Sequence, residues 1–156
     1  MKTNSNLITW SDTYSVGIKI IDEQHKKFID MVNDMYRHGN DDEEEERAFF
    51  QSIIKEFVGY VKFHFETEEK IMKGTDFQGY TMHKKVHASF ILSLLDIIKK
   101  IDNGKRIPLI TFSHFCREWI LTHIAIMDKQ YFEHLMRIIS LKRKERLNDE
   151  QADIAC

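Results

Sequence analysis

Helix breakers are scarce in this chain, which has one proline and six glycines in 156 residues. That excludes a turn-rich β-sandwich or barrel and leaves long helices divided by the few breakers present. Cysteine is as sparse. Cys116, inside an apolar stretch, and Cys156, at the last position, are too few and too separated for a disulfide framework or a cysteine metal site, which suits a reducing cytoplasm. No run approaches the roughly 20 apolar residues that span a bilayer, and the opening MKTNSNLITWSDTYSVG lacks the apolar core of a signal peptide. Neither sign of charge prevails, with 23 Lys and Arg against 25 Asp and Glu, so no field draws in nucleic acid or an anionic membrane. The expectation is one soluble, cytoplasmic domain whose core needs no second subunit, hence a monomer.

What is present is helical period. Residues 1–18 show no sustained period and form an expected extended arm, with Trp10 and Val16 packing on the body. A first helix begins near Lys19, carries Ile21, His25, Phe28, Val32 and Met35 at steps of three and four, and stops at Gly39. The acidic run from Asp41 to Glu46 caps the next helix and suits its dipole. Phe50, Ile53, Ile54, Phe57, Val61, His64 and Glu68 then keep the period as far as Gly74. A third helix starts between Phe77 and Met82, places His83, His87, Phe90, Leu94 and Ile98 on one stripe, and ends at Gly104. Pro108 fits the first turn of a fourth, which carries Phe112, Phe115, Trp119, Ile120, His123, Met127 and Tyr131. Short links between four helices imply an all-α, up-down-up-down four-helix bundle over residues 19–140. From 141 to 156 the apolar stripe is lost to charge, and the helix protrudes, frays or ends there. Lys142, Arg143, Lys144 and Arg146 read first as a solvated helix end, and as a basic patch for an acidic protein partner in the second place.

Polar groups on the apolar stripes carry the chemistry. His64 and Glu68 are four apart, as are His83 and His87, and that spacing stacks side chains on one helical face. A buried Glu68 is costly unless paired or metal-bound, and five inward histidines with two inward carboxylates leave a metal-free core full of unsatisfied atoms. Imidazole with bridging carboxylate favours a dinuclear first-row metal site, iron first. His38, His114 and His134 fall off or at the ends of these stripes and receive no ligand role. His123 and Asp128 are five apart, about 140° around an ideal helix, and a π-bulge or an axial offset reconciles them.

IDEQHKKF around His25, HFETE from His64 to Glu68, HKKVH from His83 to His87 and HIAIMD from His123 to Asp128 together resemble the haemerythrin family. The likeness is to its single-domain bacterial members, the bacteriohaemerythrins, and runs from about Trp10 to Ile139. It implies two iron ions in a non-haem, oxo- or hydroxo-bridged di-iron centre, with His83, His87 and His123 on one iron and His25 and His64 on the other. Glu68 and Asp128 bridge them. That set fills all but one of about 12 octahedral positions, and the vacancy on the two-histidine iron is where O2 binds reversibly. Histidine-rich iron stops short of breaking O2, because extra carboxylates are what favour the higher oxidation states. Trp119, Ile120 and Phe65 are the candidate walls of an O2 pocket that excludes water. The implied role is oxygen storage, delivery or transport without catalysis. An oxygen or redox sensor acting through a partner is one alternative. An enzyme reducing peroxide or nitric oxide is another, although no general acid or nucleophile is evident near the ligands.

Overall fold

The computed structural model describes residues 5–39 and 42–154; Asp41, Cys156 and the first four residues of the arm lie outside the described residues. Four helical rods carry the fold. α1 spans Lys19–His38, α2 Glu43–Gly74, α3 Tyr80–Asp102 and α4 Leu109–Thr122. A π-helical turn over His123–Asp128 then leads into α5, Lys129–Ile154, and both junction residues keep right-handed helical dihedrals, so α4, the π turn and α5 form one rod. The links are short, so successive rods run antiparallel in a four-helix bundle. Among the described residues no helix is long and apolar enough to cross a membrane.

The apolar stripes meet in two clusters. Phe28 of α1, Phe57 of α2 and Phe112 of α4 are fully buried and meet edge to face, with centroids 5.5 Å apart for Phe28 and Phe57 and 6.1 Å for Phe57 and Phe112. Burying each such ring contributes roughly 1.5–3 kcal/mol. The second cluster gathers Val16, Ile21, Met72, Tyr131, Phe132 and Leu135. Between the two, every rod turns polar: His25 lies between Ile21 and Phe28, His64 and Glu68 between Val61 and Met72, His83 and His87 between Tyr80 and Phe90, and His123 and Asp128 between Ile120 and Tyr131.

Local chemistry fixes the rod ends. Asp42 caps α2, its carboxylate accepting from the amides of Glu44 and Glu45 at 3.0 Å each. The buried Glu46 carboxylate accepts from the Leu109 amide at 2.9 Å, so the start of α2 satisfies a free donor at the start of α4. Pro108 stands just before α4 rather than in its first turn; its carbonyl accepts from the Phe112 amide at 3.0 Å. Gly39 does end α1, but its φ of −70° is ordinary. The need there is room, since a Cβ would lie 2.5 Å from Ile110 Cγ1. Gly104, after α3, does need the left-handed region, at φ +88°.

The arm holds a 3-10 turn at Asp12–Tyr14 and docks through polar contacts as well as apolar ones. Val16 is buried and Trp10 is partly buried, while Ile8, at 4% exposure, is deeper than either. Asn33 of α1 clasps Ile8, accepting from its amide at 2.9 Å and donating to its carbonyl at 2.8 Å. At the other end, α5 neither frays nor stops near Ile139. It continues to Ile154 with every residue from Ile139 onward exposed.

Candidate metal centre

All seven side chains expected as ligands converge between the two apolar clusters, each 2% exposed or less. His64 and Glu68 are one turn apart on α2, and His83 and His87 one turn apart on α3. His25 comes from α1. The five-residue step from His123 to Asp128 is taken by the π turn, whose wider turn carries both side chains inward and leaves His123 Nε2 3.0 Å from Asp128 Oδ1.

Each carboxylate divides its oxygens between two sets of imidazoles. Glu68 Oε1 lies 3.4 Å from both His25 Nε2 and His64 Nε2, while Oε2 lies 3.3 Å from His87 Nε2 and 3.8 Å from His83 Nε2. Asp128 Oδ2 lies 3.2 Å from His25 Nε2, while Oδ1 lies 3.2 Å from His83 Nε2 and 3.0 Å from His123 Nε2. Two donor groups result: His83, His87 and His123 with both carboxylates, and His25 and His64 with the same two carboxylates. Within each group the donor atoms lie inside 4.8 Å of one another.

These atoms fit metal ions better than they fit each other. Both oxygens of Glu68 and of Asp128, both ring nitrogens of His25 and Nε2 of His83 have no aligned hydrogen-bond partner among the described residues. Carboxylates at this depth without aligned hydrogen bonds are costly, and a cation among them removes that cost. His87 Nε2 and His123 Nε2 are 2.9 Å apart. Two nitrogens at right angles on one ion, with bonds of about 2.1 Å, sit about 3.0 Å apart.

Electrostatics describes the same site with protons in place of metal. Burial alone lowers His25 and His83, but Asp128 and Glu68 outweigh it and raise each to about 9. Burial pushes His64 down to about 4 and also lowers His123. Burial raises Glu68 in isolation; the surrounding His64, His25, His83 and His87 instead hold it well below the usual carboxylate range. Burial and the neighbouring Glu68 work upward on Asp128, and His123 and His25 overcome both and hold it down. The raised His25 and His83 thus set positive charge against the two carboxylates, and metal ions binding there displace those protons.

Outside the cluster, His64 Nδ1 meets Gln24 Oε1 at 2.8 Å and His87 Nδ1 meets Glu69 Oε1 at 3.0 Å. Neither partner stands out in the sequence. Their only signal was position, Gln24 just before His25 and Glu69 just after Glu68. The three residues expected to wall an O2 pocket separate. Ile120 is fully buried, Phe65 stacks on His87 at 3.8 Å, and Trp119 stacks on His123 at 4.3 Å, so both rings cover the three-histidine group. Beside the two-histidine group stands Phe28, 6.4 Å from His64, at a position whose helical spacing marks it only as core. His38 stacks on Phe49, His114 is exposed, and His134 lies against Phe77, all away from the cluster.

Comparison with known proteins places this geometry in a lineage. The family description "Hemerythrin HHE cation binding domain" matches residues 16–135. A "Bacteriohemerythrin" of Pseudomonas aeruginosa is 27% identical over 89% of this chain and 88% of its own length. A "Bacteriohemerythrin" of Clostridium acetobutylicum is 29% identical over 81% of this chain and 100% of its own. Among solved structures, a wild-type hemerythrin is similar with a TM-score of 0.74 at 27% identity, covering 81% of this chain and 96% of that one. The match spans all four rods and all seven converging side chains, and this chain belongs to the haemerythrin family.

Proposed function

We propose that the chain binds O2 reversibly at a non-haem di-iron centre and serves oxygen storage, delivery or transport rather than catalysis. The observation that carries this reading is the division of oxygens: Glu68 and Asp128 each turn one oxygen to His25 and the other to the imidazoles of α3 or the π turn. A bridging carboxylate needs that arrangement. In this reading His83, His87 and His123 would hold one iron and His25 and His64 the other, with Glu68 and Asp128 shared between them.

Two irons held there would supply the electrons and the open position that O2 requires. The protein's own part is to orient and to exclude. Gln24 and Glu69 fix the rings of His64 and His87 by accepting from their Nδ1–H groups, leaving Nε2 free for metal. Phe65 and Trp119 cover the three-histidine group with stacked rings, and Phe90 backs Trp119 from 4.0 Å. Phe28 and the fully buried Ile120 close the apolar side toward the first core cluster. Keeping water from the site slows irreversible oxidation and lets O2 leave unchanged.

Anaerobically reduced, iron-loaded protein tests the reading through its optical spectrum in air and again after O2 is removed. Bands that appear and vanish over repeated cycles support a carrier. Steady consumption of peroxide or nitric oxide with a reductant would replace it with an enzyme.

A second reading, an oxygen sensor, draws on the exposed end of α5. Lys142, Arg143, Lys144 and Arg146 stand on a continuous helix beyond the bundle, a form suited to an acidic partner. In that case deleting 141–156 leaves oxygen cycling intact and abolishes an oxygenation-dependent partner interaction.

A further inference from the structure

The five imidazoles differ in what their outward nitrogens meet. Nδ1 of His25 and Nδ1 of His123 are buried with no hydrogen-bond partner among the described residues. His64 meets the neutral amide of Gln24, and His87 meets the carboxylate of Glu69. One imidazole of each donor group is therefore held from outside, one by an uncharged acceptor and one by an anion.

We propose that Glu69 is a positioning residue that acts through His87 to lower the reduction potential of the metal held by His83, His87 and His123. The proposal rests on the di-iron reading above. With Nε2 turned into the cluster and given to the metal, the ring hydrogen of His87 belongs on Nδ1, where Glu69 Oε1 lies 3.0 Å away to accept it. An anionic acceptor draws that hydrogen outward and makes the ring a richer electron donor than an amide acceptor does. A richer donor favours the ferric ion over the ferrous one.

Orientation and electronics are separable at this position. Phe65 lies face to face with the His87 ring, 3.8 Å away and within 1° of parallel, so the ring plane is clamped whether or not Glu69 carries a charge. Glu69 is the more accessible partner: its side chain is 18% exposed, its second oxygen lies 4.0 Å from Lys84 Nζ, and it lines a surface cleft of about 150 Å³ between α2 and α3. Gln24, by contrast, is 7% exposed. The two ends of the site therefore differ in second-partner charge, and the three-histidine end is the one tuned toward the oxidised state.

The test is an anaerobic Fe(II) titration of the metal-free protein followed by spectroelectrochemistry, on wild type, Glu69→Gln and Glu69→Ala. Two irons per chain are expected for wild type. Glu69→Gln, which keeps an acceptor and removes the charge, should still bind two irons but show a raised potential. Glu69→Ala, which removes the acceptor, should lose about 10–100-fold in affinity at one of the two sites. Wild type and Glu69→Gln both holding two irons at the same potential would overturn the role of Glu69 alone. Failure of wild type to take up two irons would overturn the di-iron reading beneath it.

Discussion

His123 and Asp128 stand five residues apart, yet His123 Nε2 lies 3.0 Å from Asp128 Oδ1. In a regular helix the two point about 140° apart. The π turn over His123–Asp128 removes that conflict, so both reach one cluster while the apolar faces of α4 and α5 stay turned to the core.

Asp128→Asn keeps the size of this side chain and removes its charge. Iron bound per chain should fall below wild type while far-ultraviolet circular dichroism stays nearly unchanged, because the helices draw on two apolar clusters that the substitution does not touch. Metal analysis beside the dichroism spectrum checks this.

Core and surface changes should separate cleanly. Phe57 is fully buried against Phe28 and Phe112, so Phe57→Ala should cost about 3–5 kcal/mol in urea denaturation. Leu141, 59% exposed on the projecting part of α5, should change stability by no more than about 0.5 kcal/mol when replaced by Ala.

The metal-free protein should be most stable near pH 6.5. His25 and His83 are raised to about 9, so the stability they add is complete below their ordinary value of 6.5 and is lost as pH rises through 9. His64 is lowered to about 4, so its effect runs the other way: stability is present above 6.5 and lost as pH falls through 4. The depressed Glu68 and Asp128 add to the loss on the acid side. Urea midpoints at pH 5.5, 6.5 and 9 check the curve. In iron-loaded protein, where metal replaces the protons on His25 and His83, the alkaline decline should disappear.

Cys116 should be inert in the folded state. It is fully buried and burial pushes its thiol up, so thiolate is scarce and reagents have no access. Mass spectrometry of the Cys116 peptide after alkylation should find it unmodified in native protein and modified in urea.

How far the sequence could be read depended on whether a relationship was local. His64 with Glu68 and His83 with His87 share a face by spacing alone, and the scarce breakers delimit the rods. The step from His123 to Asp128 announced a conflict, though a π-bulge and an axial offset resolve it equally well on paper. Contacts between distant segments left no such mark. Asn33 clasps Ile8 across 25 residues, and Glu46 caps α4 across 63. Gly39 reads as a helix stop, whereas its absent side chain makes room for Ile110. Gln24 and Glu69 escaped notice because their function depends on where the rings of His64 and His87 turn in three dimensions. The spacing puts Trp119 and Phe65 near ligand histidines, but which donor group each ring stacks on needs coordinates.

In the proposed centre seven side chains would hold two metal ions, joined by Glu68 and Asp128. The most direct measurement is a crystal structure of the iron-loaded protein with anomalous scattering recorded at the iron edge. Two peaks about 3.5–4 Å apart or closer are expected, with one oxygen of each carboxylate on each peak. A single peak, or two peaks that share neither Glu68 nor Asp128, would contradict it.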